Sequence, residues 1–195
     1  MYIISFDVGI RNLGYIIIEV NENIVNSHKI LKWDVLELCD KNTKASSVDN
    51  IIIGINMYKL LDNLLCNYKF DIILVENQIG RNAIKMKTIQ GMLNMYFVMR
   101  NYDNNNIINY NAVHKLKHFL KNKKTTYAER KKFSKQITEQ LCKKYYGETM
   151  FNYYKKFKKK DDLADCLLQC LDYIKKQKLL NEEFYNEICI NELKI

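Results

Sequence analysis

Hydrophobic and polar positions along this chain switch between a strand-like period of two and a helical period of 3.6, and the switches mark its elements. Residues 2–7 are almost continuously apolar and predict a buried strand that ends at Asp7-Val8-Gly9. Residues 14–20 and about 25–36 predict two further strands, with Asn21-Glu22-Asn23 as a tight turn between them. Such short connections imply an antiparallel meander. Over 47–67 the period becomes helical: Ile51, Ile55, Met57, Leu60, Leu61 and Leu64 share a face behind a Ser47/Asp49 start. Residues 71–75 form a short apolar strand of the kind buried in a mixed sheet. A helix of about 82–101 and a strand near 106–110 follow.

The second half is mostly helical in pattern. It predicts a short helix over 112–120, a basic loop from Asn122 to Thr126 and a helix of about 127–146. A further helix begins at Asp161 or Asp162, with Leu163, Ala164, Leu167, Leu168, Leu171 and Ile174 as its core stripe. A last short helix is expected at about 181–190. The order of elements predicts an α/β fold: a mixed sheet, antiparallel meander first and parallel strands after, flanked by helices. Residues 1–176 are expected to form one domain and 177–195 a C-terminal helical extension.

Composition adds little to the fold. The 195 residues suit one domain, and no Pro and only six Gly leave room for long helices. Charge adds more. The net charge is +9, yet the stretch from Val113 to Lys160 alone holds 16 Lys or Arg against Glu129, Glu139 and Glu148. The rest of the chain is net acidic. A contiguous basic stretch suits a polyanion, because each phosphate neutralised releases counter-ions; the alternative is a solvated face that serves solubility. The six Cys form no C-x-x-C pair and read as packed thiols rather than metal ligands. The first residues enter a strand without a signal peptide, and no apolar run approaches the ~18 residues a membrane span needs. An intracellular, reducing setting without a membrane is therefore expected.

Carboxylates carry the candidate chemistry. Asp7 and Glu76 each end an apolar strand, so adjacent strands would bring both to one sheet edge. Asp162 and Asp165 lie at i and i+3 on one helix face. Acids in a first helical turn also suit the helix dipole, which is reason enough for Asp161 and Asp162. Asp165 is different, because its apolar neighbours make an unpaired charge costly and a bound cation would remove that cost. Four carboxylates suit hard divalent cations better than glycosidase-type acid–base work. Two ions about 3.5–4 Å apart can activate water and stabilise a leaving 3′-oxygen.

Four segments together resemble a known family. Asp7-Val8-Gly9-Ile10-Arg11-Asn12, Glu76-Asn77-Gln78 and Asp161-Asp162-Leu163-Ala164-Asp165 look like the acidic motifs of RuvC-type Holliday junction resolvases. Thr126-Tyr127-Ala128-Glu129-Arg130-Lys131-Lys132 looks like the basic motif of the branch found in poxviruses and other large DNA viruses. The resemblance spans roughly residues 1–175. It implies an RNase H-like sheet and a homodimer that nicks opposite strands of a four-way DNA junction, leaving 5′-phosphate and 3′-hydroxyl ends. Asp7, Glu76, Asp162 and Asp165 would hold two Mg²⁺ ions, with Mn²⁺ as the alternative. Lys131 would stand near the scissile phosphate, with Lys132 as the substitute. Arg11, Arg81, Lys115, Lys123, Lys124, Arg130, Lys132 and Lys135 are the candidate DNA contacts. The helix with Lys85, Lys87, Gly91, Met92 and Tyr96 matches the region of dimer contact, although its Met/Tyr stripe is equally compatible with plain core. The glycine-rich helix motif of the bacterial enzymes is reduced here to Gln90-Gly91-Met92-Leu93. A viral origin would place the protein in the cytoplasm of an infected cell.

Three rivals remain at this point. A kinase or ATPase with an Asp-x-Gly opening would need a later Gly-rich phosphate loop, which six Gly do not provide. Another RNase H-like nuclease, acting on RNA:DNA hybrid or branched DNA, would share the acidic cluster. A non-catalytic DNA-binding module would explain the basic stretch and leave Asp165 unexplained.

Overall fold

The computed structural model describes residues 1–188 except 41, 45–46, 81–82, 112, 114, 121–124 and 187. Strands β1 (Tyr2–Val8), β2 (Asn12–Val20) and β3 (His28–Glu37) form the expected meander. Helix α1 (Asn50–Leu65) leads to β4 (Ile72–Glu76), and α2 (Ile84–Val98) leads to β5 (Ile107–Tyr110). The sheet order is β3-β2-β1-β4-β5, with β4 parallel to both β1 and β5. Helices α3 (Lys117–Leu120), α4 (Tyr127–Leu141), α5 (Gly147–Lys156), α6 (Lys160–Lys176) and α7 (Glu182–Asn186) complete the chain.

The sheet separates two apolar layers. Ile4, Phe6 and Val8 of β1 face α1 and α2, whose Ile53, Met57, Leu61, Ile89, Leu93 and Phe97 are buried there. The opposite face, starting with Ile3, receives α4 and α6, where Leu163, Leu167, Leu171 and Ile174 are fully buried. Side chains alternate along a strand, so Ser5 and Asp7 lie on the α6 side. Gln169 of α6 bears this out by donating to Ser5 Oγ at 3.0 Å. Leu180, Phe184, Tyr185 and Ile188, which follow α6, are buried in this same layer.

Several expected boundaries move. The β2–β3 turn is not the tight Asn21–Asn23 turn, because β3 starts only at His28 and Asn26 takes a positive φ of 64° to close the connection. The helix expected over 127–146 stops at Leu141 and continues as a π-helical turn, Cys142–Tyr146. Helix α5 has no counterpart among the expected elements. It begins at Gly147, whose φ of 81° breaks the path of α4, and its ten residues carry only a short apolar stripe, Met150, Phe151 and Tyr154, against the core. The Tyr154 ring stacks on Trp33 with centroids 5.4 Å apart. Among the described residues no helix is long and apolar enough to cross a membrane.

Candidate active site

Strand register sets the first pair of carboxylates. Phe6 faces Val75 across the parallel β1–β4 ladder, so Asp7 and Glu76 leave it side by side at one edge. Cross-strand from Asp7 is Gly14 of β2. An added Cβ on Gly14 would stand 2.8 Å from the Asp162 carbonyl oxygen, so the first turn of α6 rests directly on this glycine. The indole of Trp33 secures the same turn by donating to the Leu163 carbonyl at 2.9 Å. Asp162 is thereby held against β2 at the cleft, and Asp165, one turn further along the same face, comes close enough to act on Asp7. All four lie on the wall of one cleft of about 560 Å³.

The second wall comes from α4. Its start is set by Thr126, whose Oγ1 accepts from the Glu129 amide at 3.3 Å while Glu129 accepts from the Thr126 amide at 2.7 Å. Starting there, Tyr127, Arg130, Lys131 and Ser134 fall on one helix face, and the first three line the cleft. Ser134 donates to Asp165 Oδ1 at 2.8 Å. Lys131 pairs with Asp161 at 3.1 Å and lies 5.5 Å from the Tyr127 ring centroid. Lys115, just before α3, reaches into the cluster itself and meets Asp165 Oδ1 at 2.8 Å.

The electrostatics follow from this crowding. Burial first, and then the charges of Glu76 and Asp165, push the Asp7 carboxyl well above the usual range. Burial, Asp161 and Asp165 raise Asp162 to about 6. Around Lys115 burial works against the ammonium, but Asp165, Asp7 and Glu76 outweigh it and raise its pKa. The hydrogen bond to Asp161 raises Lys131 in the same direction. Asp161, although partly buried, is lowered by the Lys131 ammonium.

These shifts have a stability consequence. The folded pKa of Asp162 lies above the unfolded value of an aspartate, so its contribution is fully present at low pH and is lost as pH rises through about 6. Asp7 acts in the same sense. Asp162→Asn should therefore gain stability relative to the wild type between about pH 4 and about pH 7 in chelator. Thermal melts of both chains across that window check it, and a difference that stays constant with pH contradicts the shift.

The donor set fits a hard divalent cation. It is made of carboxylate oxygens, and Asp162 Oδ2 is buried with no hydrogen-bond partner among the described residues. It is not a closed coordination shell: among the described residues no three Asp, Glu, His or Cys side chains stand at metal-ligating spacing. Asp165 Oδ1 is instead engaged by both Lys115 and Ser134.

The remaining candidates divide. Arg130 borders the cleft, whereas Lys132 and Lys135 are exposed on other faces of α4. Arg11 donates to the Thr43 carbonyl, away from the cleft lining. Arg81, Lys123 and Lys124 lie outside the described residues. On α2, Met92 is half-buried and Tyr96 is buried against Phe97, which is the core alternative for that stripe.

Sequence reasoning missed the positioning contacts. Ser134 was one of them, and buried Gln90 of α2 another. Gln90 accepts from the Gln78 amide at 3.0 Å and donates to Asn109 at 2.8 Å, tying the segment after Glu76 to α2 and β5. The available signal was a polar residue at a core-facing helical position.

Comparison with known proteins bears on the fold and the family. The chain resembles the fowlpox virus Holliday junction resolvase at 21% identity and a TM-score of 0.61, covering 90% of this chain and 99% of that one. The yeast mitochondrial Holliday junction resolvase is similar at 18% identity and a TM-score of 0.63, over 97% and 85% of the two chains. Thermus thermophilus RuvC matches at 12% identity and a TM-score of 0.59, over 91% and 97%. At these identities the likeness is one of fold, the RNase H-like mixed sheet with flanking helices. No curated protein matches significantly in sequence. The family model described as Poxvirus A22 protein matches residues 1–178, and this chain belongs to that family.

Proposed function

We propose that this protein is an endonuclease that resolves four-way DNA junctions by symmetric nicks, through hydrolysis assisted by divalent cations. The observation that carries it is one cleft in which Asp7, Glu76, Asp162 and Asp165 meet the cations Lys115, Arg130 and Lys131. Family membership supports it, as does a fold shared with a fowlpox virus resolvase seen with Holliday junction DNA. Asp7, Glu76, Asp162 and Asp165 would hold Mg²⁺ or Mn²⁺. Bound there, the ions would supply an activated water and charge stabilisation at the leaving oxygen. The carboxylates alone would repel DNA, and the basic wall of α4 offsets that repulsion. Arg130 fixes a phosphate at the cleft, and Lys131 turns from Asp161 towards the scissile group, where negative charge develops.

Lys131→Ala should slow junction cleavage by about 10²-fold and weaken junction binding only about twofold. Single-turnover rates and binding isotherms separate the two, and an equal loss in both makes Lys131 a plain phosphate contact.

A second copy of the chain completes a symmetric cut. Ile84, Gly91, Met95 and Val98 form an exposed stripe on α2, and nothing stands within 4 Å of the Cβ position of Gly91. A partner helix can therefore approach closely. The functional test compares labelled four-way junction, linear duplex and RNA:DNA hybrid with Mg²⁺ present. Paired cuts in the junction alone are expected. Preferential cutting of the hybrid makes the chain a ribonuclease of the same fold, and binding without cutting makes it a binding module.

A further inference from the structure

Lys115 is placed unlike the other cations of the cleft. Its side chain is 14% exposed, against 44% for Lys131, and its ion pair is with Asp165, one turn further into α6 than the Asp161 that Lys131 meets. A buried ammonium is costly unless paired, and here it is ringed by Asp165, Asp7 and Glu76. Its 2.8 Å contact falls on the same Asp165 oxygen that accepts from Ser134 at 2.8 Å. That oxygen has two donors already. A divalent cation bound by Asp165 would meet both the ammonium charge and an occupied oxygen.

We propose that Lys115 is a built-in counter-ion of the carboxylate cluster, which holds Asp165 while no metal is bound and must yield it to an incoming divalent cation. Lys115 thereby sets the cation affinity of the site. It acts through Asp165 and is a positioning residue. The displaced ammonium has the cleft before it, where the substrate phosphate lies, so metal loading and phosphate contact become linked. This rests on the metal-binding reading of the cleft.

The test measures Mn²⁺ affinity of the intact chain from the resonance of the free ion, without DNA. Lys115→Met should bind Mn²⁺ about tenfold more tightly than the wild type, because a repelling charge is gone. Lys115→Gln, which keeps a hydrogen-bond donor for Asp165, should also bind more tightly and guards against misfolding of the first variant. Lys59→Met, an exposed lysine on α1 across the sheet from the cluster, should stay within about twofold of the wild type. A merely structural lysine would leave affinity unchanged or weaken it, and either result from a folded variant overturns the proposal. Asp7→Asn separates the two failures. If it loses Mn²⁺ while the Lys115 variants bind no tighter, only the counter-ion role falls. If it binds Mn²⁺ as the wild type does, the metal-binding reading falls, and the counter-ion role with it.

Discussion

Asp7→Asn should abolish junction cleavage, by about 10³-fold or more, while leaving junction binding intact or tighter. Asparagine keeps the shape of the side chain and removes its charge. Asp7 sits at the centre of the cluster, against Glu76 and Asp165, so its loss weakens any shared cation and cancels several kcal/mol of transition-state stabilisation. The same change relieves repulsion in the metal-free fold, because burial and two neighbouring acids disfavour the Asp7 charge. The variant should melt higher than the wild type in chelator, and Mg²⁺ should raise its melting temperature less. DNA is also repelled less. Cleavage rates, binding isotherms and melts on one preparation check all three. A variant that cuts normally, or that loses binding in step with cleavage, contradicts the role given to Asp7.

The second large effect comes from a residue with no side chain. In Gly14→Ala the new methyl would lie 2.8 Å from the Asp162 carbonyl oxygen and 3.2 Å from its carbonyl carbon. Backbone atoms cannot swing aside as a flexible side chain can, so the first turn of α6 must move off the sheet. Overpacking of this kind costs about 1–3 kcal/mol, with about 2–4 °C of melting temperature lost per kcal/mol. Activity should fall further than stability, at least about tenfold, since a shift of about 1 Å at Asp162 and Asp165 disrupts a shared site. Gly54→Ala is the control: its methyl would meet Met92 Sδ at an ordinary 3.6 Å, so cleavage should be unchanged. Equal activity in both variants would mean that α6 does not rely on Gly14.

Much of this is legible in the sequence. Strand ends at Asp7 and Glu76 follow from apolar runs that stop at an acid, and register then needs only the pairing of β1 with β4. Helix α6 announces itself by a core stripe from Leu163 to Ile174, and Asp165 by its apolar neighbours. What stayed hidden depends on contacts between distant segments. Lys115 reads as one base among many in a basic stretch, and only the path of the chain before α3 brings it to Asp165. Pairing Lys131 with Asp161 needs α4 and α6 side by side. Helix α5 is harder to read because it has only ten residues and its stripe, Met150, Phe151 and Tyr154, spans little more than one turn inside a lysine-rich stretch. Gly14 looked like an ordinary strand residue, since its reason for being glycine lies in Asp162, far along the chain.

On the proposed function, two strand ends and the start of α6 serve one cation. Iron-directed cleavage of the protein backbone tests it most directly: Fe²⁺ replaces Mg²⁺, ascorbate and peroxide generate hydroxyl radicals at the bound ion, and the fragments are mapped. The expected cuts fall beside Asp7, beside Glu76 and between Asp161 and Asp165, and excess Mg²⁺ suppresses all three together. Cuts confined to one of these segments, or unaffected by Mg²⁺, would mean that the carboxylates do not share an ion.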